Sequence, residues 1–422
     1  MADQTDILSL VAHFLEENSY SQTLRQLESE HGKPIKPQLL NSESLSQIVN
    51  DRLQFASLNN KRDDPIDVNE DLPSRLKKLT GEQFVNWTSP YPQNPTNLNI
   101  HSLIISSAYR QSNESLYFAT NDAQVIVANR GSLRSIRFSE IIKKVLIVGV
   151  NIILLGMSGK LYLRNGDFDE IGTYDTQTRF SVDAKHISYR GTDYTVILAW
   201  NSALKLVRLV DGEFTIVSEL KLDQQGTCFD VISYREELVV VLGKLENTLL
   251  DVISVQNEQL IPKYKISVND AEFTTSSFSP RFLTISQKGE GIPLIAVATS
   301  HEPYMRVIIT SLIDYDSPPA SLIARNQIIK NVNTLSPQDK FSQPMISWRL
   351  DSNEMESGIW VMGEDGTIRG IDLVDDGIVV ELAEVDGKGH QTKIKDFTTF
   401  IDGNGKEVLV TSGVDRQTYE WR

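Results

Sequence analysis

Histidine and cysteine are the side chains best suited to bind a metal ion or to act as a nucleophile, and both are scarce in this sequence. The six histidines stand at positions 13, 31, 101, 186, 301 and 390 and do not cluster at the spacing of metal ligands. Cys228 is the single cysteine, so neither an intrachain disulfide nor a cysteine-based zinc site is expected. Its neighbours Thr227, Phe229 and Val231 are typical of a strand interior and predict a buried, unreactive thiol.

Motifs of catalysis and nucleotide binding are also missing from the sequence. The chain has no glycine-rich loop ending in Gly-Lys-Ser/Thr, no His-Glu-x-x-His and no Gly-x-Ser-x-Gly. The Gly-Glu-Gly run at 289–291 lacks the spacing of a dinucleotide site, and the acidic pairs at 63–64 and 375–376 fall in turn or linker sequence. We therefore expect no catalytic residue, no metal and no cofactor.

Composition narrows the class of protein further. The 422 residues are 40% hydrophobic, and 56 Asp and Glu against 41 Lys and Arg give a net charge of −15, which argues against direct nucleic-acid binding. The first twenty residues have no basic region and no long apolar stretch, so no signal peptide is expected. The most apolar run, 145–157, is interrupted by Asn151 and is too short to cross a bilayer. We expect a nuclear or cytoplasmic protein that is not secreted and has no membrane partner.

The first thirty residues have the pattern of two short amphipathic helices. Asn18 and Ser19 mark a break between them, and Gly32 and Pro34 are stop signals. Helices this short are marginal in water, so their apolar stripes need a partner, either the rest of the chain or a second molecule. The residues of these stripes that we expect to meet such a partner are Leu10, Val11, Phe14, Leu15, Tyr20, Leu24 and Leu27.

In type and spacing, the runs 10–15, 19–20 and 23–27, followed by Glu30, resemble the Lis-homology (LisH) motif. Ser19 stands where that family usually has glycine. LisH motifs form intertwined homodimers in which two helical hairpins make a four-helix bundle. The resemblance implies that residues 1–34 are a dimerisation module and that the stripe residues form its interface.

The next segments are predicted to be an accessory helix and a linker. Ser44 and Gln47 fit a capping box at the start of a helical stripe, which predicts a helix within 35–58. Residues 59–95 are polar and rich in turn formers, which predicts a linker with a short helix at 73–79.

Residues 96–422 consist of short β-branched runs separated by turns of Gly, Asn and Asp, which is typical of an all-β domain. Seven turn-and-strand endings follow one another, the first near Asp122 and the last near Asp415. These two turns are 293 residues apart, so the six intervals average about 49 residues, slightly longer than the ~40–45 of propeller repeats. The series predicts a mainly β protein with a closed seven-bladed β-propeller. We expect a strand within 82–105 to complete the last blade.

The last repeat, 389–421, closely resembles a WD repeat. In that family a His, a Ser, an Asp and a Trp share hydrogen bonds that hold one blade together. The matching residues are His390, Ser412, Asp415 and Trp421, and the resemblance implies a structural role for them. The other six repeats keep only parts of this set.

Propellers of this type bind proteins mainly across one face. Trp200, Tyr304, Glu364 and Arg416 lie beside predicted tight turns and are candidate residues of such a face, since Trp, Tyr and Arg are frequent hot-spot residues. The layout resembles that of LisH and WD-repeat adaptor proteins. We therefore expect a non-enzymatic dimeric scaffold, a subunit of a multiprotein complex. The alternative is an enzyme whose site lies in the central channel, which predicts convergent polar groups with perturbed acids or a metal there.

Overall fold

The computed structural model describes residues 4–39, 44–49, 71–269, 278–286, 290–315, 322–325, 327–350, 358–375 and 377–422. The chain divides into two compact units. The first is formed by N-terminal residues up to Asp71, and the second comprises Leu72–Asp270 and Phe278–Arg422.

The first unit contains the predicted helical pair, α1 (Gln4–Glu17) and α2 (Ser21–His31). Ser19 adopts a left-handed backbone with φ of 61°, so it takes the conformation for which glycine is the usual residue. Helix α2 ends at Gly32, whose φ of 77° closes the last turn.

A further helical segment covers residues 45–49. The capping box is present: the Ser44 amide donates to Gln47 Oε1 at 2.8 Å, and the Gln47 amide donates to Ser44 Oγ at 3.3 Å. The rest of the predicted helix, 50–58, and residues 59–70 of the predicted linker lie outside the described residues.

The second unit is a seven-bladed β-propeller preceded by helix α3 (Leu72–Thr80), and each blade is an antiparallel meander whose first strand is innermost. Blade 1 has β2 (Ile104–Arg110), β3 (Ser115–Thr120), β4 (Gln124–Asn129) and β5 (Ser132–Arg137). Blade 2 has β6 (Ile142–Val148), β7 (Asn151–Gly156), β8 (Lys160–Arg164) and β9 (Glu170–Asp175). Blade 3 has β10 (Ser181–Tyr189), β11 (Thr192–Ala199), β12 (Ala203–Val210) and β13 (Glu213–Lys221).

The remaining blades follow the same plan with two additions. Blade 4 has β14 (Gly226–Tyr234), β15 (Glu237–Lys244), β16 (Leu249–Gln256) and β17 (Gln259–Ser267), with the parallel strand β21 (Ile323–Ala324) at its edge. Blade 5 has β18 (Pro280–Ile285), β19 (Leu294–Thr299), β20 (Tyr304–Ser311) and β22 (Lys330–Pro337). Blade 6 has β23 (Met345–Trp348), β24 (Ile359–Met362), β25 (Ile368–Asp372) and β26 (Gly377–Leu382). Blade 7 has β27 (Ile394–Ile401), β28 (Glu407–Gly413) and β29 (Thr418–Trp421).

An N-terminal strand completes the last blade. Strand β1 (Pro95–Asn97) pairs antiparallel with β29, placing Pro95 opposite Trp421 and Asn97 opposite Tyr419. This pairing ties the start of the ring to its end, so the edge of β29 is covered. The predicted closing strand within 82–105 is therefore present.

The apolar core of the ring lies between the blades. Six clusters of buried side chains each combine residues of two neighbouring blades, as with Ile104 and Phe118 of blade 1 against Val410 of blade 7. Each sheet buries both of its faces against the neighbouring blades. The sequences of the second and third strands are therefore nearly continuous runs of apolar residues.

Residues 72–95 belong to the propeller unit and not to a linker, contrary to the prediction for 59–95. Leu76 of α3 and Phe84 are buried in the cluster between blades 5 and 6. The amides of Gly291 and Ile292 donate to Thr80 O and Leu79 O at 2.9 and 2.8 Å, which fastens the end of α3 to blade 5. The segment is predicted to be a linker because most of its residues are polar, but a few of its apolar side chains are deeply buried.

Trp87 is the main anchor of this segment. Its side chain is only 2% exposed and packs edge-on against Trp360, with ring centroids 4.6 Å apart. Gly358 and Gly370 leave the space for it, since a Cβ at either position would lie within 3 Å of the indole ring. The Trp87 amide also donates to Asp372 Oδ2 at 2.9 Å.

Replacing this anchor gives a test of the packing. Trp87→Ala removes a buried aromatic ring and is expected to lower the free energy of unfolding by about 3–5 kcal/mol. Trp200→Ala is the matched control, because Trp200 is 62% exposed and its loss is expected to change stability by no more than about 0.5 kcal/mol. Urea unfolding of both variants measures the difference. Equal losses would contradict the assignment of 81–95 to the folded unit.

Candidate interaction face and central channel

The turns between second and third strands define one face of the propeller, which we call the top face. Strands alternate in direction within each meander, so the connections from the fourth strand to the next blade lie on the same face. In six of the seven blades, the first residue of the turn donates its amide to the carbonyl of a residue just before the innermost strand. These bonds are Asn121 to Leu103, Met157 to Ile141, Trp200 to Phe180, Leu245 to Gln225, Ser300 to Ser279 and Val414 to Lys393, all at 2.9–3.0 Å.

Large apolar side chains are exposed along much of this face. We call six of them, on blades 2 to 5 and the connection to blade 6, the apolar rim: Met157, Phe180, Trp200, Leu245, Tyr304 and Phe341. Phe180 and Trp200 are 61% and 62% exposed and are adjacent through their backbone hydrogen bond. Among the described residues of the propeller unit, all four exposed aromatic side chains belong to this rim. The turns of the opposite face contribute the aliphatic residues Val150 and Val210.

The four residues predicted for a binding face all lie in or beside top-face turns, in blades 3, 5, 6 and 7. Trp200 and Tyr304 are exposed, and Arg416 is exposed with a left-handed backbone. Glu364 is half-buried and forms an ion pair with Lys393, so its carboxylate is already engaged. Trp200 and Tyr304 thus belong to the apolar rim, whereas Glu364 pairs with Lys393, the residue just before the innermost strand β27. Phe180 and Phe341 were missed because they precede innermost strands and not tight turns.

The polar network of blade 7 differs in one member from the predicted set. His390 Nε2 lies 2.9 Å from Thr411 Oγ1, and Trp421 Nε1 donates to the same hydroxyl at 2.8 Å. His390 Nδ1 faces Asp415 Oδ2 at 3.2 Å. The linking hydroxyl therefore belongs to Thr411 and not to Ser412. Successive strand residues point to opposite sides, so Ser412 instead pairs with Thr418, at 3.1 Å.

Burial supports a structural role for this network. Burial lowers the pKa of His390, and the adjacent Asp415 carboxylate counteracts this only in part. A neutral imidazole between a carboxylate and a hydroxyl satisfies both of its ring nitrogens. Cys228, the thiol predicted to be unreactive, is buried, and burial raises its pKa to about 12.

The innermost strands form the wall of the central channel, and a polar side-chain contact joins them at every one of the seven blade junctions. At three junctions a side chain binds a neighbouring backbone group: Ser106 Oγ accepts from Val145 N at 3.2 Å, Asp230 Oδ2 accepts from Ile285 N at 2.9 Å, and Trp348 Nε1 donates to Thr284 O at 3.1 Å. At the other four, side chains meet: Lys144 and Asp183 at 2.9 Å, Lys185 and Asp230 at 3.5 Å, Ser347 and Thr399 at 3.4 Å, and Ser107 with Asp396.

Charges of alternating sign run round one side of this wall. Burial would raise the pKa of Asp183, but Lys144 and Lys185 outweigh it and hold that pKa below its usual range. Likewise, Asp230 and Asp183 outweigh the effect of burial on Lys185 and raise its pKa. Both residues are therefore charged at neutral pH, and each lies between partners of opposite sign.

Asp396 stands apart from these paired groups. Burial raises its pKa to about 6, although the hydrogen bond from Ser107 and the nearby Lys144 act in the opposite direction. Its carboxyl lies in no ion pair among the described residues. A raised carboxyl pKa is a feature that the enzyme alternative predicts for the channel. The described residues contain no group of three or more His, Cys, Asp or Glu that could hold a metal ion.

The seven residues predicted for the dimer interface have different environments within the first unit. Leu10 is buried, Val11, Phe14, Leu15, Leu24 and Leu27 are half-buried, and Tyr20 is 53% exposed. Helix α2 has no buried residue. The Phe14 and Tyr20 rings lie 6.4 Å apart, on either side of the turn at Ser19.

Asp396 and Asp183 form a matched pair for a test of the channel electrostatics. A carboxyl whose pKa is raised to about 6 on folding stabilises the fold fully only below about pH 4, and that contribution is lost as the pH rises through about 6. Asp396→Asn is therefore expected to gain stability relative to the parent as the pH rises from about 4, and the gain should reach about 3 kcal/mol above pH 6.

Asp183→Asn is expected to change stability in the opposite direction. The lowered pKa of Asp183 means that its contribution is present near neutral pH and is lost in acid. The variant should be less stable than the parent at pH 7, with the difference shrinking as the pH falls. Urea unfolding over a pH series measures both curves. A gain for both variants, or for neither, would contradict the assigned pKa shifts.

Comparison with known proteins agrees with the observed architecture. No described helix is long and apolar enough to span a membrane. The chain is 25% identical over 417 residues to the uncharacterized protein YGR117C of Saccharomyces cerevisiae, covering 86% of this chain and 87% of that protein. Residues 66–422 match a family described as a beta-propeller domain, and the match starts close to α3, where the second unit begins. The chain belongs to this β-propeller domain family.

Proposed function

We propose that the protein is a non-enzymatic scaffold whose top face captures other proteins. The observation that carries this proposal is the apolar rim, since every exposed aromatic side chain of the described propeller unit lies on that one face. Exposed aromatic side chains cost solvation free energy in a monomer, and their concentration on one face is typical of protein-binding surfaces. The proposed partners are proteins or peptides, and the proposed compartment is the nucleus or cytoplasm.

The second part of the proposal is self-association through a LisH-like module at residues 1–34. The helical pair, its turn at Ser19 and the absence of buried residues in α2 support it, because two such short helices leave apolar surface uncovered. A dimer would present two propellers to one target. Two linked sites raise the effective concentration of the second binding event, which strengthens weak single contacts.

The enzyme alternative draws support from Asp396 alone. A carboxyl with a pKa of about 6 is suited to proton transfer near neutral pH. Its hydrogen-bond partner, however, is the hydroxyl of Ser107 in the neighbouring blade, and the other channel contacts also join blade to blade. This pattern favours a structural role for the channel groups, so the scaffold is the preferred function.

The dimer is tested by placing charge on the helical pair. Phe14→Asp combined with Leu15→Asp is expected to convert a dimer into a monomer of 47.5 kDa, because carboxylates cannot be buried in an apolar interface without a partner. Light scattering coupled to size-exclusion chromatography measures the mass. Gln22→Asp, on an exposed position of α2, is the control and should leave the parent mass unchanged. If parent and double variant have the same mass, the dimer assignment is wrong.

Partner capture is tested by altering the apolar rim without unfolding the ring. Trp200→Ser with Tyr304→Ser is expected to weaken binding of the captured proteins by about tenfold or more, as for hot-spot residues. Val150→Ser with Val210→Ser makes a comparable change on the opposite face and should have no effect. Quantitative affinity purification from cells compares both variants with the parent and with a chain that starts at Leu72. Equal losses in the two double variants would count against the top face as the binding surface.

A further inference from the structure

The innermost strands share a second feature at the mouth of the channel on the top face. In six blades the pairing between first and second strand is interrupted by one bulged residue near the start of the first strand. The bulged residues are Ile105, Lys143, Val182, Thr227, Arg281 and Lys395 in blades 1, 2, 3, 4, 5 and 7. A bulge leaves its residue out of the ladder, so these equivalent positions present side chains that are free to vary. Three of the six are basic and none is acidic.

Arg281 has a structural task that accounts for its charge. Its guanidinium donates to three backbone carbonyl oxygens of the loop before blade 6, those of Asp339 at 2.7 Å, Lys340 at 2.8 Å and Ser342 at 2.9 Å. These three hydrogen bonds use most of the N–H donors of Arg281 and fix the connection between blades 5 and 6.

Lys143 and Lys395 have no such task. Within the part of the chain that the structure describes, neither lies in an ion pair, and Lys395 donates only to the neutral side chain of Gln343, at 3.0 Å. Burial and the neighbouring charges of Lys393 and Lys143 lower the pKa of Lys395, and the smaller effects of Glu364 and Asp396 raise it, so repulsion between the lysines outweighs attraction to the carboxylates. Two of the surrounding carboxylates are paired, Glu364 with Lys393 and Asp183 with Lys144, whereas Asp396 accepts a hydrogen bond from the neutral hydroxyl of Ser107.

A local excess of positive charge is unusual in a chain with a net charge of −15. The positive charges around Lys395 outweigh the nearby carboxylates of Glu364 and Asp396, so an anion that reaches the two half-buried ammonium groups is stabilised there. The mouth adjoins the apolar rim on its blade 2 and blade 3 side, where the bulged residue Val182 is only two residues from Phe180. A ligand that fits both features combines carboxylates with apolar side chains.

We propose that the channel mouth binds an acidic peptide segment of the captured protein, with its carboxylates on Lys143 and Lys395 and its apolar side chains on the neighbouring rim. This inference rests on the proposed function, because it assigns the chemistry of the partner that the top face takes. The occupant is a polypeptide and not a nucleic acid, since the positive charge is confined to the mouth and is flanked by apolar surface.

The test uses the full chain and a fluorescein-labelled peptide of glutamates with leucine at every third position. Fluorescence anisotropy should show binding that weakens with salt and is absent for the same peptide with glutamine in place of glutamate. Lys143→Gln and Lys395→Gln are each expected to weaken binding by about three- to fivefold, and the double variant by about tenfold or more. Lys406→Gln removes the same charge from the opposite end of blade 7 and should bind like the parent.

A charge reversal makes the test independent of folding defects. Lys143→Glu with Lys395→Glu should lose the glutamate peptide and gain binding of the corresponding lysine peptide, which an unfolded variant would not do. The proposal is overturned if the glutamine peptide binds as well as the glutamate peptide, or if Lys406→Gln has the same effect as the mouth variants. It is also overturned if single-stranded DNA of equal length binds more tightly through the same lysines.

The outcome is separable from that of the proposed function. If the peptide does not bind but the rim variant still loses its partners, the scaffold function stands and the mouth is not its acidic-peptide site. If the peptide binds through the lysines but no protein partner depends on Trp200 and Tyr304, the mouth site stands and capture through the rim is wrong.

Discussion

The inner edge of each blade is the constraint on which the rest of this propeller depends. The first strand of a blade is paired on one side only, so its other edge turns unpaired amide and carbonyl groups toward the channel. In a narrow channel, side chains of the next blade can satisfy these groups. Ser106 Oγ accepts from Val145 N, and Asp230 Oδ2 accepts from Ile285 N, and in both cases the contact crosses a blade junction. One set of polar side chains thus satisfies the strand edges and fixes neighbouring blades to each other.

This arrangement explains why charged residues occur in the wall of a largely apolar ring. Lys144, Asp183, Lys185 and Asp230 come from three consecutive blades and alternate in sign, so Asp183 and Lys185 each have opposite charges on both sides. Each of the two carboxylates also accepts a hydrogen bond from a backbone amide. Removing one member of such a chain leaves its neighbours partly unpaired, which costs more than the pair itself contributes. Asp396 is the exception, because its main partner is a neutral hydroxyl and burial therefore dominates its pKa.

The sequence predicts the seven-bladed ring well, but it predicts the long-range packing and the polar contacts of the channel poorly, for physical reasons. Six of the seven turns contain Gly, Asn or Asp, which are local signals, and all seven turns precede a third strand, as with Asp122 before β4 and Asp415 before β29. Trp87 packs against Gly358 and Gly370, which are more than 250 residues away in the sequence. The residues next to Trp87 in the sequence are polar and rich in proline, so they do not indicate that it is buried. The predicted hydroxyl of the blade 7 network is that of Ser412, but the observed one is that of Thr411, one residue earlier. In a strand, a shift of one residue moves a side chain to the other side of the sheet. The channel charges are separated by tens of residues, and only the repeating bulge shows that they occupy equivalent positions.

The same bulge places two residues with different roles side by side in the innermost strand: one contacts the neighbouring blade, and the other lies outside the strand pairing. The residue after the bulge is Lys144 in blade 2, Asp183 in blade 3 and Asp396 in blade 7, and all three join neighbouring blades. The bulged residue itself lies outside the ladder, so its identity does not affect strand pairing. At one bulged position, Arg281 binds backbone carbonyl groups and fixes the loop before blade 6. Lys143 and Lys395 make no comparable backbone contacts among the described residues. A substitution at a bulged position is therefore expected to change the charge of the top face while the wall below stays closed, because the bulged residue and the residue after it point in different directions.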